Sequence, residues 1–283
     1  MEREPQPNGE LPGKVVLPQR LSVRWPGNAR LAVLLTLECY GGEAFSTIPF
    51  TATTYNYGLR RGIWEVLESL EKLEVKATLH FPGVTVEAYP HVIEAVAKAG
   101  HEVAALGYRY EPHWDFNEAE ERKNIERAIA AIEGVTNKRP KGWRTPQARP
   151  SLYTLQLLGE LGFVWDSSLH NDEIPYRMEF DEGSLIEIPF NHVTDYRTYY
   201  VPPPSPPAHK LFSVWEDELD VLYKESERER SMLTLSLHPA FFGRPGELDT
   251  LEQFIAKIKQ LEGTWFATCS DVAVWWEQNR NWV

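Results

Sequence analysis

Cysteine is scarce in this chain. The two present, Cys39 and Cys269, make no disulfide scaffold, so stability has to come from a packed core. No apolar run approaches the ~20 residues that span a bilayer. The opening ten residues, MEREPQPNGE, are polar and mixed in charge and lack the apolar centre of a signal peptide. Positive charge is also short. Lys and Arg number 29 against 41 Asp and Glu, a net charge of -12, which argues against nucleic acid or an anionic membrane surface as the main partner. The expectation is a soluble cytoplasmic protein.

What is abundant points to a large core. A chain of 283 residues with 42% hydrophobic content can bury a sizeable core, as one large domain or at most two. Ten tryptophans and twelve tyrosines supply packing and aromatic surface for a ligand pocket. Residues 1–29 are proline-containing and aperiodic, and read as an N-terminal arm lying over the body. From residue 30 to 283 apolar runs of strand length alternate with helical stripes, without a break in composition. Strands are expected at 30–37, 77–81, 101–105, 142–146, 163–166, 185–188, 232–237 and 264–268. Helices are expected at 61–73, 89–99, 151–160, 212–229 and 248–261, with Asn117 capping one that runs to about 133 and Ser270 capping the last. Residues 43–59 read as a long loop, and the tract from Val201 to Pro207 as an extended polyproline-type loop. Seven or eight strands alternating with helices indicate one α/β barrel.

In such barrels reactive groups sit at the C-terminal ends of strands. Four of those ends carry polar residues here. Thr36-Leu37-Glu38-Cys39-Tyr40 closes the first strand, and a carboxylate at a buried strand end is suited to general-base work. Ala99 to Glu111, AGHEVAALGYRYE, ends a helix at Gly100 and opens a loop in which Tyr108 and Tyr110 can donate hydrogen bonds or stack on a flat ring. The N–H groups of that loop are candidates for holding an oxyanion. Trp143-Arg144-Thr145-Pro146 offers a guanidinium whose planar fork matches a carboxylate. Leu235-Ser236-Leu237-His238-Pro239 places a proton donor at a strand end. His101 reads as a core histidine with a backbone partner. His80 shares a strand face with Thr78, and reads either as pocket-facing or as a core histidine.

These stretches, in this order, closely resemble the motifs of the polysaccharide deacetylases (the NodB-homology fold), in particular the allantoinase and cyclic-imidase-like branch. Asp166-Ser167-Ser168-Leu169 through Asp172 to Pro175-Tyr176 is similar to a segment of that branch, and the likeness spans about residues 24–277. The resemblance implies a distorted (β/α)7-type barrel. It further implies Glu38 as base, Arg144 as its orienter and His238 as acid, with Tyr108, Tyr110, Trp143, His80 and Asp172 toward the substrate. Where the family holds its two metal-binding histidines, this chain has Leu106 and Tyr110; its metal-binding Asp falls on Cys39 or Tyr40. A catalytic divalent metal usually needs three protein ligands and an open position. The expectation is therefore no metal and no other cofactor.

A metal lowers the pKa of its bound water from about 15.7 to about 7. At ~1.36 kcal/mol per unit that is on the order of 12 kcal/mol, partly offset because bound hydroxide is the weaker nucleophile. An unactivated N-acetyl sugar amide is then a poor fit, and a cyclic ureide, imide or related strained C–N bond a better one. The expected activity is a metal-independent hydrolase of a small polar carbonyl compound. The alternatives are a catalytically silent binding barrel, or a lyase or isomerase using the same acid–base pair. By resemblance the chain is expected to form a homo-oligomer, a dimer or tetramer, and to bind neither nucleic acid nor membrane.

Overall fold

The computed structural model describes residues 13–17, 23–45, 52–200 and 208–279. The polyproline-type tract expected at Val201 to Pro207 lies outside them, as does most of the expected arm. Among the described residues ten strands form one sheet: β1 Lys14–Val16, β2 Leu31–Glu38, β3 Thr78–Phe81, β4 Glu102–Ala105, β5 Gly142–Trp143, β6 Trp165–Asp166, β7 Tyr176–Glu179, β8 Ser184–Glu187, β9 Ser231–Leu237 and β10 Thr264–Ala267. The order is β1-β7-β8-β6-β5-β4-β3-β2-β10, with β9 pairing β2 as well. All pairings are parallel except β1 with β7 and β7 with β8. Among the described residues β8 and β9 do not pair; an isolated bridge joins Ser236 of β9 to Asp195, eight residues beyond β8, so hydrogen-bonded closure is interrupted there. This is the distorted barrel expected from the alternation.

Side-chain parity sorts β2 into two cores. Leu31, Val33, Leu35, Leu37 and then Cys39 face the surrounding helices, packing with Ile63, Val66, Leu70 and Ile255. Ala32 and Leu34 point inward, where Trp25, Trp165, Ile186 and Met232 plug the barrel. Thr36 and Glu38 continue the inward row and are fully buried. Above the apolar plug the interior turns polar. Glu102 accepts from Thr78 Oγ1 (2.7 Å) and from the Ser270 N–H (3.0 Å), and Asp166 lies in register with Glu187.

Several expectations need correction. The segment read as a loop at 43–59 contains the helix Ala52–Tyr57, which runs through a π-helical turn, Gly58–Gly62, into Ile63–Lys72. That turn packs closely against the 239–243 segment: a Cβ on Gly62 would lie 2.1 Å from the Pro239 carbonyl oxygen. β1 and β7 were not expected: β1 has three residues, Lys-Val-Val, and β7 alternates as Tyr-Arg-Met-Glu but over four residues alone. The last helix, Cys269–Gln278, is capped by Thr268 in a capping box with Asp271, while Ser270 instead serves Glu102. Asn117 does form the expected capping box, with Glu120. His101 has its expected backbone partner, accepting from the Ala77 N–H at 3.2 Å. No helix among the described residues is long and apolar enough to cross a membrane.

Burial, and then the neighbouring Asp166 carboxyl, hold the Glu187 carboxyl well above the usual carboxylate range. A group whose folded-state pKa is raised stabilises the fold below its unfolded value and loses that contribution as pH rises through the folded one. Glu187→Gln is therefore expected to flatten the decline of denaturant midpoint on the alkaline side of the ordinary carboxylate range. An unchanged slope would contradict the proton-sharing pair.

Candidate active site

Glu38 ends β2 with no exposed surface. Its Oε2 accepts from the Tyr110 hydroxyl at 3.0 Å and from the Tyr196 hydroxyl at 3.1 Å. Tyr40 and Tyr196 hydroxyls meet at 2.8 Å; since Tyr196 gives its proton to Glu38, Tyr40 donates to Tyr196. Burial first, and then neighbouring charges including Glu38, raise the pKa of the Tyr40, Tyr110 and Tyr196 hydroxyls, so all three remain donors. The Tyr40 and Tyr110 rings stack at 4.0 Å, and Phe45 and Tyr55 pack around Tyr40.

Two guanidinium groups approach the other carboxylate oxygen. Arg144 reaches only 4.0 Å from Glu38 Oε1. It donates instead to the Ser167 carbonyl (2.8 Å), Ser167 Oγ (2.8 Å) and Thr36 Oγ1 (3.0 Å). The expected fork on Glu38 does not form. Arg197 is nearer, with Nη1 at 3.6 Å from Oε1, and Asp195 holds it through Nε and Nη2, each at 2.7 Å. Burial pulls the Arg197 pKa down, but the Glu38 and Asp195 carboxylates outweigh it and hold the group above its usual range.

His238 follows β9 and is fully buried. Its Nδ1 accepts from the Ala240 N–H at 3.0 Å, so in the neutral ring the proton sits on Nε2, which has no partner. Burial pulls its pKa down to about 3, so near neutral pH the ring is neutral rather than an imidazolium. Tyr40 closes over it edge-on at 4.4 Å.

Above this floor lies a cavity of about 470 Å³, lined by Tyr40, Phe45, Tyr55 and Tyr110 on its aromatic side and by Gln147, Arg149, Asp195 and Arg197 among its polar groups. Gln147 (φ 60°) and Ala148 (φ 53°) both occupy the left-handed region, which side chains other than glycine rarely adopt. Backbone strain of this kind concentrates at functional sites. Gly107 (φ 66°) lets the neighbouring loop approach, because a Cβ there would lie 2.9 Å from Pro146 Cγ.

Of the residues expected here, Glu38, Arg144, Tyr110 and His238 converge, and His80 lies beside Glu38 in register, fully buried, with no hydrogen bond to either ring nitrogen. Burial, then the Arg144 charge, pull its pKa well down, so it is a neutral interior histidine outside the cavity lining. Tyr108 points away, donating to Glu87 at 2.9 Å beneath the Arg127 guanidinium. Trp143 belongs to the outer core, beside Phe163, with Nε1 on Thr145 Oγ1. The Asp172 carboxylate caps its own turn, accepting from the Glu173 N–H at 2.8 Å, outside the main cavity. The expected oxyanion loop is also otherwise engaged: the N–H groups of Leu106, Tyr108 and Tyr110 donate to the Phe81 carbonyl, Asn124 Oδ1 and the Ala44 carbonyl.

The sequence reading missed Tyr196, Arg197 and Asp195. Their one local signal is the Asp-x-Arg pair itself.

The donor set does not suit a divalent cation. Leu106 and Tyr110 pack in one aromatic cluster with Tyr40, the Tyr110 hydroxyl serves Glu38, and Cys39 faces the outer core. Among the described residues no three His, Cys, Asp or Glu side chains gather as a metal site.

Buried polar side chains thus gather at the strand ends of a distorted α/β barrel. The polysaccharide deacetylase sequence model matches residues 47–165. A Schizosaccharomyces pombe protein named as a polysaccharide deacetylase is 28% identical over 89% of this chain and 92% of its own length. Among solved structures, a Mycobacterium smegmatis protein named as a polysaccharide deacetylase superposes with a TM-score of 0.85 at 29% identity, covering 95% of this chain and 96% of that one. The Puue allantoinase superposes at 0.83 with 27% identity, covering 90% and 93%. Over most of its length the chain is thus similar in sequence and fold to proteins named as polysaccharide deacetylases and to an allantoinase.

Hydrogen bonds to a buried charge are worth roughly 1.5–3 kcal/mol. A double-mutant cycle of Tyr110→Phe with Glu38→Gln, read by denaturant unfolding, is expected to return a coupling of about 1–3 kcal/mol. Additive single effects would show that the phenol does not support the carboxylate.

Proposed function

We propose that this chain is a metal-independent hydrolase that cleaves a C–N bond in a small polar carbonyl compound, a cyclic ureide, imide or related activated amide. One observation carries the reading. Three buried polar atoms on this floor, Glu38 Oε1, Arg197 Nη1 and His238 Nε2, have no hydrogen-bond partner. They comprise one acceptor and two donors, the complement that addition of water to a carbonyl requires. Buried polar atoms left unpaired cost roughly 1–3 kcal/mol each, and a reacting ligand that pairs them recovers that cost.

In this scheme Glu38 Oε1 takes the proton of the attacking water. Arg197 Nη1, fixed by Asp195, stabilises the oxygen that gains charge. His238, fixed in its tautomer by the Ala240 N–H, hydrogen-bonds from Nε2 to the departing nitrogen and keeps its proton. Glu38 passes the proton it took from water to that nitrogen as the C–N bond breaks, so every group returns to its starting state. The stacked tyrosines keep bulk water out and offer a flat ring a surface to lie on. The likeness to an allantoinase and the absence of a fitting donor set both favour an activated ring over an N-acetyl sugar.

One observation favours a second reading, a barrel that binds without turnover: Glu38, Arg144 and His238 have no exposed surface. The two readings separate in a panel of hydantoin, dihydrouracil, succinimide and allantoin assayed with chelator present. Turnover is expected, with Glu38→Gln and His238→Ala each lowering kcat/KM by about 10²–10⁴-fold. Full turnover in both variants would overturn the hydrolase scheme, and saturable binding without turnover would select the silent barrel.

A further inference from the structure

The charges at the bottom of the main cavity cancel. Arg144 and Arg197 lie within 4.0 Å of Glu38, and Asp195 clamps Arg197, so two guanidinium groups meet two carboxylates there. Arg149 lines the same cavity and stands outside that balance. It is exposed and makes no ion pair among the described residues, in a chain whose net charge is -12. His170, also in the lining, adds no charge near neutral pH, because burial lowers its pKa and its Nδ1–H donates to the Phe190 carbonyl at 2.8 Å. The cavity therefore carries a spare positive charge.

The fold fixes this arginine from three sides. Its carbonyl accepts from the His113 N–H at 3.0 Å, which ties it to the short helical turn His113–Asp115. Its guanidinium lies over the Trp114 ring, 4.4 Å from the centroid, and that indole is 46% exposed. Nη1 donates to Gln147 Oε1 at 3.4 Å. Gln147 and Ala148, just before it, both hold the left-handed backbone, so strain accompanies the turn that brings Arg149 to the cavity wall. A guanidinium is rich in N–H donors that share one plane, and Gln147 Oε1 is the one protein acceptor they meet among the described residues. Asp115, the acid on the neighbouring turn, accepts from Trp114 Nε1 at 2.9 Å instead.

We propose that Arg149 sets the substrate class of this cavity: a ring that bears a carboxylate on a short arm, apart from the carbonyl that reacts. The proposal rests on the hydrolase reading above and deepens it. Arg197 is committed to the reacting oxygen and to Asp195, and Arg144 to Ser167 and Thr36, so neither is spare for a second anion. A planar fork with unengaged N–H groups suits a carboxylate through two parallel hydrogen bonds. The tyrosine side of the cavity takes the face of the ring, while the arm turns toward Arg149. The arm keeps its charge throughout, and Arg149 makes and breaks no bond. It acts on binding, as a specificity-determining residue.

Titration calorimetry on the full chain tests this with hydantoin-5-acetate and its neutral analogue hydantoin-5-acetamide, binding heat and the continuous power of turnover being read apart. The carboxylate is expected to bind saturably and at least ~10-fold tighter than the carboxamide, as a charge-assisted hydrogen bond requires. Raising the salt concentration is expected to shrink that preference. Arg149→Gln is expected to bring the two ligands level by weakening the carboxylate alone. Equal binding of the two by the unaltered chain would overturn the proposal, as would absence of carboxylate binding or a preference that survives Arg149→Gln. The ligand comparison on the unaltered chain decides even if the variant does not fold. Turnover of both rings with no preference would remove the anion site and leave the hydrolase reading standing; a carboxylate preference without turnover would do the reverse.

Discussion

A carboxylate at the blind end of a barrel strand is the constraint on which the rest of the site depends. Removing one ionised group from water costs several kcal/mol even after relaxation, and Glu38 has no surface at all. The molecule answers with two phenol donors on one oxygen and two guanidinium groups within 4.0 Å of the other. Each of these is fixed in turn. Asp195 clamps Arg197, Ser167 and Thr36 hold Arg144, and the Tyr40 ring lies against Tyr110. The support is asymmetric, leaving Oε1 electrostatically balanced but without a hydrogen bond. An oxygen in that state is held in place and still able to accept.

The family likeness and the local chemistry belong to different levels of structure. The alternating apolar runs build the barrel, and the barrel delivers strand ends to one place whatever residues occupy them. Side-chain parity then decides what each residue does. Because Glu38 points inward, Cys39 must point outward into the helix-facing core and Tyr40 inward again. That settles which neighbour of Glu38 belongs to the site: a phenol, where a thiol on the other face has no access.

How much of this was legible in the sequence follows the same division. Long apolar runs such as Leu31–Glu38 and Ser231–Leu237 declared themselves as buried strands, and Glu38 and His238 could be read from their position at the ends. Short strands such as Tyr176–Glu179, one to two turns of side-chain alternation long, carry too little pattern to separate from loop. Tyr108 and Tyr110 looked equivalent, yet the loop turns between them: one hydroxyl reaches Glu87 and the other Glu38. Arg197 sits 159 positions from Glu38 in a segment without periodicity, and only the fold brings the two together. Arg144 drew attention through its motif, whereas the nearer cation was the one without a motif.

The central claim is that protein groups alone, Glu38, Arg197 and His238, form a working site with no metal. Plasma mass spectrometry of the purified chain, dialysed briefly without chelator, tests it most directly. The account predicts transition-metal content well below one equivalent. Stoichiometric zinc, or another transition metal retained through dialysis, would contradict it and place ligands among side chains assigned here to packing and hydrogen bonding.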